Sequence, residues 1–556
     1  MARKYVIGLD YGTESGRALL VAADTGEEIA TATEPYPDGV IDEVLPTTKE
    51  KLPPDWALQN PADYVSVTEK VVPQVLKEAG VKGEDVIGIG TDFTACTVMP
   101  IDKEGTPLCL KDDWKNEKNA WVKLWKHHGA ATQTDKLNTI AADRGEDFLD
   151  RCGGKVSSEF FFPKVLQVLE EAPEVYDHAD RFIEAGDWIA LWLTGVDKRN
   201  ACAAGYKALW DEGYPSKDFL KALHPKLENI VAEKMNADVV PAGTAVGTLK
   251  PEVAKKLGLS TDCVVAAGGI DAHVAVPGTS VTQAGQMVMI MGTSLCHMVC
   301  HTEQKPIAGM SGIVKDGILP GYYGYEAGQA AVGDIFAWFT DNCVPGWVEE
   351  KAKEEGSDVH GLLSCQAAGM KPGESGVLCL DWMNGNRSVL VDANLSGLMI
   401  GLTLNTTPAE MYRAVLESTA FGTYKIIKTF EEGGIPITEL VACGGLPNKN
   451  RFLMQIYADV TNRPIKIAAS EQTTALGAAI WGAVAAGKAR GGYDNVEDAA
   501  KKMASLREEV FEPDKDTHAV YEKLFEEYEK LHDYYGGGAN DVMKTLKAMK
   551  REARGA

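Results

Sequence analysis

Asp10, Gly12, Thr13 and Ser15 lie within one short run, DYGTESGR at residues 10–17. A strand ending there delivers a carboxylate suited to Mg²⁺, directly or through water. Gly12 lets the backbone come close to a ligand, and Thr13 and Ser15 add hydroxyl and amide donors that suit phosphate oxygens. A surface turn with an Asx-type bond would use the same residues. A second Gly-Thr, in MGTS at 291–294, occupies the same kind of position and favours the phosphate reading. Neither is a Walker A loop, since GxxxxGK[ST] is absent from the chain. The third candidate is ACGGLPNKN, Ala442 to Asn450, where paired glycines after an apolar run open a corner able to receive an adenine ring or ribose. There Asn448 is placed to cap the next helix.

These groups need strands that end together. Residues 5–10, 17–23 and 27–34 alternate or run apolar, separated by GTESG and DTGE, which predicts three strands with tight connections. VIGIG at 86–90, CVVAAGG from 263, QMVMIMGTSLCHMV and LVACGG at 440–445 add strands. NAWVKLWKHH and the stretch from Pro163 read as helical, with Trp121 and Trp125 four apart and His127 and His128 facing solvent. LGAAIWGAVAAG at 476–487 reads as a buried helix, too short to span a bilayer. Tyr521, Leu524, Phe525, Tyr528 and Leu531 make one helical face, which GGG at 536–538 ends before a short basic helix. Two halves of like β/α construction, each opening on a hairpin tipped by Gly-Thr, predict a boundary near 275–285, so domains 1–280 and 281–556.

Bulk properties narrow the function. The chain has 556 residues, 24% charged and 45% hydrophobic, with a formal net charge of −24. Such a surface disfavours nucleic-acid and membrane binding, so a bound nucleotide must be held by local donors, Mg²⁺ and helix ends. The eleven cysteines lack paired zinc spacing, and MARKYVIGLD runs directly into a strand with no apolar leader, so reduced thiols and a cytoplasmic location are expected. In CHMVCH at 296–301 a strand would point Cys and His to opposite faces, which argues against shared metal ligation.

Taken together, these motifs resemble the FGGY family of carbohydrate kinases, of the actin-like ATPase superfamily. Gly397-x-Met399-x-Gly401-Leu402, seven further residues, then Glu410-Met411-x-x-Ala414-Val415-Leu416-Glu417 fits the family's C-terminal signature. Lys164-Val165-Leu166-Gln167 departs from the N-terminal one, with Gln where Trp is usual. The resemblance implies an α/β fold of two ribonuclease-H-like domains flanking a nucleotide and sugar cleft, with ATP and Mg²⁺ as cofactors. It places phosphate contacts on Gly12, Thr13, Gly292 and Thr293, and adenosine contacts on Gly333, Gly444, Gly445 and Asn448. DYGTESGRAL, KLWKHH, FFPKVLQVLEE, GGIDAHVAVPG and GYEAGQAAVGDIFAW are most similar to the members acting on L-ribulose. That implies a sugar held by Ala95, Lys207, Asp271 and Glu326, with Asp271 as the base; whether the chain forms a homo-oligomer is left open by the sequence. A carboxylate orienting a weakly nucleophilic hydroxyl and taking its proton late is sound chemistry for the transfer. Competing readings are a helix N-cap for Asp271, a solvated Lys207, a core role for Trp125 against a sugar-lid role, another ketose or polyol such as xylulose or ribitol as substrate, an actin-like or chaperone-type ATPase, and a sugar sensor.

Overall fold

The computed structural model describes residues 3–554. Two mixed sheets of seven strands each form its frame. The first is built from β1 (Tyr5–Tyr11), β2 (Ser15–Ala22), β3 (Glu28–Pro35), β4 (Val86–Phe93), β5 (Ala245–Thr248), β6 (Val264–Ala266) and β7 (Gly269–Ile270). Their order is β5-β6-β4-β1-β2-β3, with β7 paired to the far end of β4. β1, β2 and β3 form an antiparallel meander, while β4 lies parallel to β1 and β6 parallel to β4.

The second sheet repeats the plan with β8 (Gln286–Met291), β9 (Leu295–His301), β10 (Gly312–Lys315), β11 (Tyr323–Gln329), β12 (Glu439–Cys443), β13 (Ile465–Ala468) and β14 (Leu506–Phe511). The order is β10-β11-β9-β8-β12-β13-β14. Here four neighbouring strands, β10-β11-β9-β8, are antiparallel, two strands parallel to β8 follow, and an antiparallel strand closes the edge. This is the doubled ribonuclease-H-like arrangement of actin-like ATPases.

The periodicity explains which face each strand buries. Ile7, Leu9, Leu20 and Ile89 point to a core shared with helices Pro61–Ala79 and Ala185–Thr194, while Val6, Leu19 and Val21 point toward the second half. In the second sheet Met287, Met289 and Met291 face the long helix Pro408–Glu432 and helix Lys515–Gly536, whose Tyr521, Phe525 and Tyr528 are fully buried. Between the sheets lie helices Asp271–Gly278 and Thr473–Ala486, the latter from the Gly/Ala-rich run. That helix comes from the second half but rests on the first sheet, and Gly8 and Gly90 make the approach possible. A Cβ on either would sit 1.8 Å from a helix carbonyl, that of Ala475 or Ala478. Among the described residues no helix is long and apolar enough to cross a membrane.

Residues 118–128 depart from the helical expectation. A 3-10 turn, Lys118–Ala120, leads into strand Val122–Lys123, which pairs with Leu58–Gln59 in a small four-stranded sheet. Sheet pairing and burial of Lys123 over the Trp56 ring, 4.1 Å from its centroid, override the apparent i, i+4 spacing. Trp121 is core, with its indole N–H donated to the Lys115 carbonyl. His127 is fully buried, not solvent-facing, and is bonded to Gln167 and to the Ala57 N–H; His128 is exposed. The helix expected from Pro163 begins two residues earlier, at Phe161, so Pro163 occupies its first turn, where a missing N–H costs little.

Candidate active site

β1, β4 and β7 bring three carboxylates to one level. Asp10 is in register with Asp92, and Asp92 with Gly269, so Asp271 emerges just beyond at the first position of its helix. Asp92 is 1% exposed, and neither carboxylate oxygen has a hydrogen-bond partner. Burial, then the neighbouring charges of Asp10 and Asp271, hold it well above the usual carboxylate range. Burial also raises Asp10, against the pull of the Arg17 guanidinium 3.4 Å away. Asp271 is pushed up to about 6 by burial, with Asp10 and Glu326 adding to the effect and the Ala272 N–H, 2.6 Å from Oδ1, opposing it. The cap position itself is Ile270, so Asp271 is not the helix cap.

The two Gly-Thr tips are fixed by different partners. In the first, the Gly12 N–H donates to the Ser15 carbonyl at 3.0 Å and Gln59 donates to the Thr13 carbonyl at 2.7 Å. The Trp125 indole N–H reaches Thr13 Oγ1 at 3.1 Å, tying this loop to the segment that sequence periodicity had made a helix. In the second, Val332 N–H donates to the Thr293 carbonyl at 2.8 Å and Gly333 N–H to the Gly292 carbonyl at 3.1 Å. Gly333 therefore opens helix Gly333–Asn342 directly against the loop. Gly444 has φ +92, and a Cβ there would lie 2.5 Å from the Met291 carbonyl, one residue before Gly292. Gly292, Thr293, Gly333 and Gly444 thus form one neighbourhood. Gly445 starts a short helix, Gly445–Lys449, facing open space, and Asn448 Nδ2 donates to the Gly444 carbonyl at 3.4 Å. Asn448 is not the cap of the following helix. Asn450 is, its Oδ1 accepting from the Leu453 N–H at 2.9 Å, because the chain makes one extra turn first.

A second set of polar groups is buried where the halves meet. Helix Ala201–Ala208 from the first half packs on β10 of the second and carries Lys207. Glu326 on β11 is 5% exposed at its side chain. Its Oε1 pairs with the Arg387 guanidinium, and its Oε2 lies 3.4 Å from His273 Nε2. Burial opposes the Glu326 charge, yet Lys207, Arg387 and His273 hold its carboxyl well below the usual range. Burial likewise works against the Lys207 ammonium, and Glu326 and Glu159 outweigh it. The His273 ring, 4.2 Å from that of Tyr206, is kept neutral chiefly by burial. Ala95 precedes Cys96, whose φ is +41 and whose carbonyl accepts from Lys164 at 2.6 Å. The same buried ammonium donates to the Leu124 carbonyl at 2.8 Å, so Lys164 fixes the loops of both Ala95 and Trp125.

The profiles of the FGGY family of carbohydrate kinases match most of the chain, the N-terminal domain over residues 5–278 and the C-terminal domain over 287–486. The chain belongs to the FGGY family of carbohydrate kinases. This FGGY kinase is 57% identical over 558 residues to a ribulokinase of Geobacillus thermodenitrificans, spanning 100% of this chain and 99% of that one. A ribulokinase of Anoxybacillus flavithermus is also 57% identical, over 100% of this chain and 98% of its own. A gluconate kinase from Lactobacillus acidophilus superposes with a TM-score of 0.78 at 19% identity, covering 97% of this chain and 99% of that one, and shares the fold.

In this kinase Asp271 lies within electrostatic reach of Asp10, Lys207 and Glu326, while Gly292, Thr293, Gly333 and Gly444 form a separate group of contacts. Asp92, His273, Arg387 and Lys164 belong to the same surroundings and were not singled out as site residues. Asp92 had a readable signal, an acid inside an eight-residue strand that is otherwise apolar or small. Arg387 had none, because its loop has no periodicity. The paired, charge-repelling Asp10 and Asp92 suit a divalent cation, which would relieve both. Among the described residues no cluster of three or more His, Cys, Asp and Glu has cage geometry.

Proposed function

We propose that this kinase transfers the γ-phosphoryl group of ATP to the terminal C5 hydroxyl of L-ribulose. The observation that carries the reading is the placement of Asp271. It is a half-buried carboxylate raised to about 6 by desolvation, sharing one electrostatic neighbourhood with Lys207 and Glu326 on one side and Asp10 on the other. Full-length identity to proteins named ribulokinase supports the choice of sugar. Ala95, Lys207 and Glu326 hold the pentulose, and Asp271 orients its terminal hydroxyl. The O5–H proton passes to Asp271 as the bond from O5 to phosphorus forms and the bond to the β–γ bridging oxygen breaks, releasing ADP. Gly12, Thr13, Gly292 and Thr293 supply donors to the phosphates. Gly444, Gly445 and Asn448 form the adenosine corner, with Gly333 bracing the loop beside it. Mg²⁺ at Asp10, with Asp92 behind it, would offset phosphate charge. The halves 1–280 and 281–556 act as the two jaws of the cleft.

The test is initial rates over a panel of ketoses and polyols at saturating Mg·ATP, with NMR of each product. L-Ribulose should give the highest kcat/KM, other ketopentoses and ribitol less, and glycerol little, because buried groups left without a hydroxyl partner are penalised. A preference for xylulose or glycerol, or phosphate on C1, overturns the assignment.

A further inference from the structure

Glu326 is a buried anion that needs a fixed counter-charge, and two basic residues touch it. Among the described residues only Arg387 and His273 come within ion-pair distance; Lys207 acts from further away. His273 makes no hydrogen bond with either ring nitrogen, so the direct bond to the carboxylate is Arg387's. That bond occupies Oε1 and leaves Oε2 buried and unpartnered. Arg387 Nη1 also lies 3.5 Å from Cys296 Sγ, which braces the guanidinium against β9.

The loop that presents Arg387 is itself anchored at several points. It runs between strands Leu378–Leu380 and Leu398–Ile400. Next to Arg387, Ser388 Oγ accepts from the Gly328 N–H at 3.2 Å, two residues from Glu326 on β11. Within the loop, Asn386 and Asp392 exchange two backbone bonds of 3.0 and 2.9 Å. The basic terminal helix Val542–Arg554 then holds its far side. Lys544 pairs with Asp392 at 2.9 Å, and Lys547 donates to the carbonyls of Ala393 and Leu395 at 2.8 and 2.7 Å. Arg551 reaches Asn394 Oδ1 at 3.1 Å. The positive charge of this helix is directed at the Arg387 loop.

We propose that Arg387 is a positioning residue for sugar recognition: its guanidinium fixes Oε1 of Glu326 so that Oε2 is presented to a sugar hydroxyl. The proposal rests on the reading of Glu326 as a sugar-facing group. Removing one partner of a buried charge pair leaves the other exposed to the full cost of its burial, while neutralising both does not.

A double-mutant cycle with Arg387→Met, Glu326→Gln and the pair tests this, with Arg387→Lys as the charge-retaining variant. Kinetics are read on whichever pentulose the wild-type enzyme uses best, so failure of the L-ribulose assignment shows in the wild type and failure of this proposal in the cycle. Arg387→Met should raise the sugar KM about 10²-fold while the ATP KM stays within about twofold. Arg387→Lys should recover part of that loss. In the Glu326→Gln background the same Met substitution should add less than about threefold. Thermal melts of all four proteins identify any that fail to fold, in which case Arg387→Lys carries the comparison. Additive effects in the cycle, or equal rises in sugar and ATP KM, would overturn the proposal.

Discussion

Lowering the assay pH titrates Asp271 in place. An aspartate at its ordinary value of 3.8 would remain more than about nine-tenths ionised at pH 5, and a rate depending on it would hardly change. Held at about 6, the carboxylate is about nine-tenths ionised at pH 7 and about one-tenth at pH 5. As a base it works only when ionised, so kcat/KM for the sugar should fall about tenfold across that interval, with a midpoint near 6. Asp10 and Asp92 are also raised, so the variant Asp271→Asn is needed to assign the limb. It should lower turnover about 10²–10⁴-fold and remove the Asp271 part of the acid limb from what remains, with ATP affinity little changed. Stability moves with the opposite sign. The folded state holds the Asp271 proton more tightly than the unfolded chain, so wild type loses stability relative to Asp271→Asn as pH rises from about 4 to about 6. Near-normal turnover in Asp271→Asn, or a flat wild-type profile between pH 5 and 7, refutes the assignment.

Trp125→Phe removes the 3.1 Å bond to Thr13 Oγ1 and should weaken catalysis about 2–12-fold, seen in kcat and the ATP KM of a protein with an unchanged melting curve. Gly90→Ala drives a methyl into the Ala478 carbonyl and should destabilise by about 1–3 kcal/mol or more, read as a lowered Tm or loss of soluble protein. Because Thr13 and Thr293 stand on opposite halves, sugar with a non-hydrolysable nucleotide should compact the molecule in small-angle scattering. An unchanged radius in every ligand state counts against closure.

What could be read ahead of the structure was local. Both Gly-Thr hairpins, the strands leading to Asp271 and Gly444, and the Tyr521–Tyr528 face follow from period-two or period-3.6 patterns with turn residues between them. What escaped depends on distant pairing. Val122 and Lys123 join Gln59 and Leu58, which no window around residue 122 contains, and His127 is buried by Gln167 and Trp56. Asn448 and Asn450 are equally good caps by type, and one extra helical turn decides between them. Arg387 lies about sixty residues beyond Glu326 on an irregular loop, so only the folded chain joins them.

The helix Thr473–Ala486 has a consequence for how the chain is made. It lies on Gly8 and Gly90, contacting them through Ala475 and Ala478, residues synthesised several hundred positions later. When residue 280 leaves the ribosome, the strands of the first sheet all exist but the face bearing Val6, Leu19 and Val21 lacks its Thr473–Ala486 cover. About two hundred more residues must follow, roughly 10–40 s at ordinary elongation rates, before the missing layer emerges. Until then Val6, Leu19 and Val21 remain open to solvent, or to a chaperone. A polypeptide cut near residue 280 would leave that layer on the other piece. The halves are therefore interdependent products of one translation, because the first sheet completes its packing only with a helix made by the second.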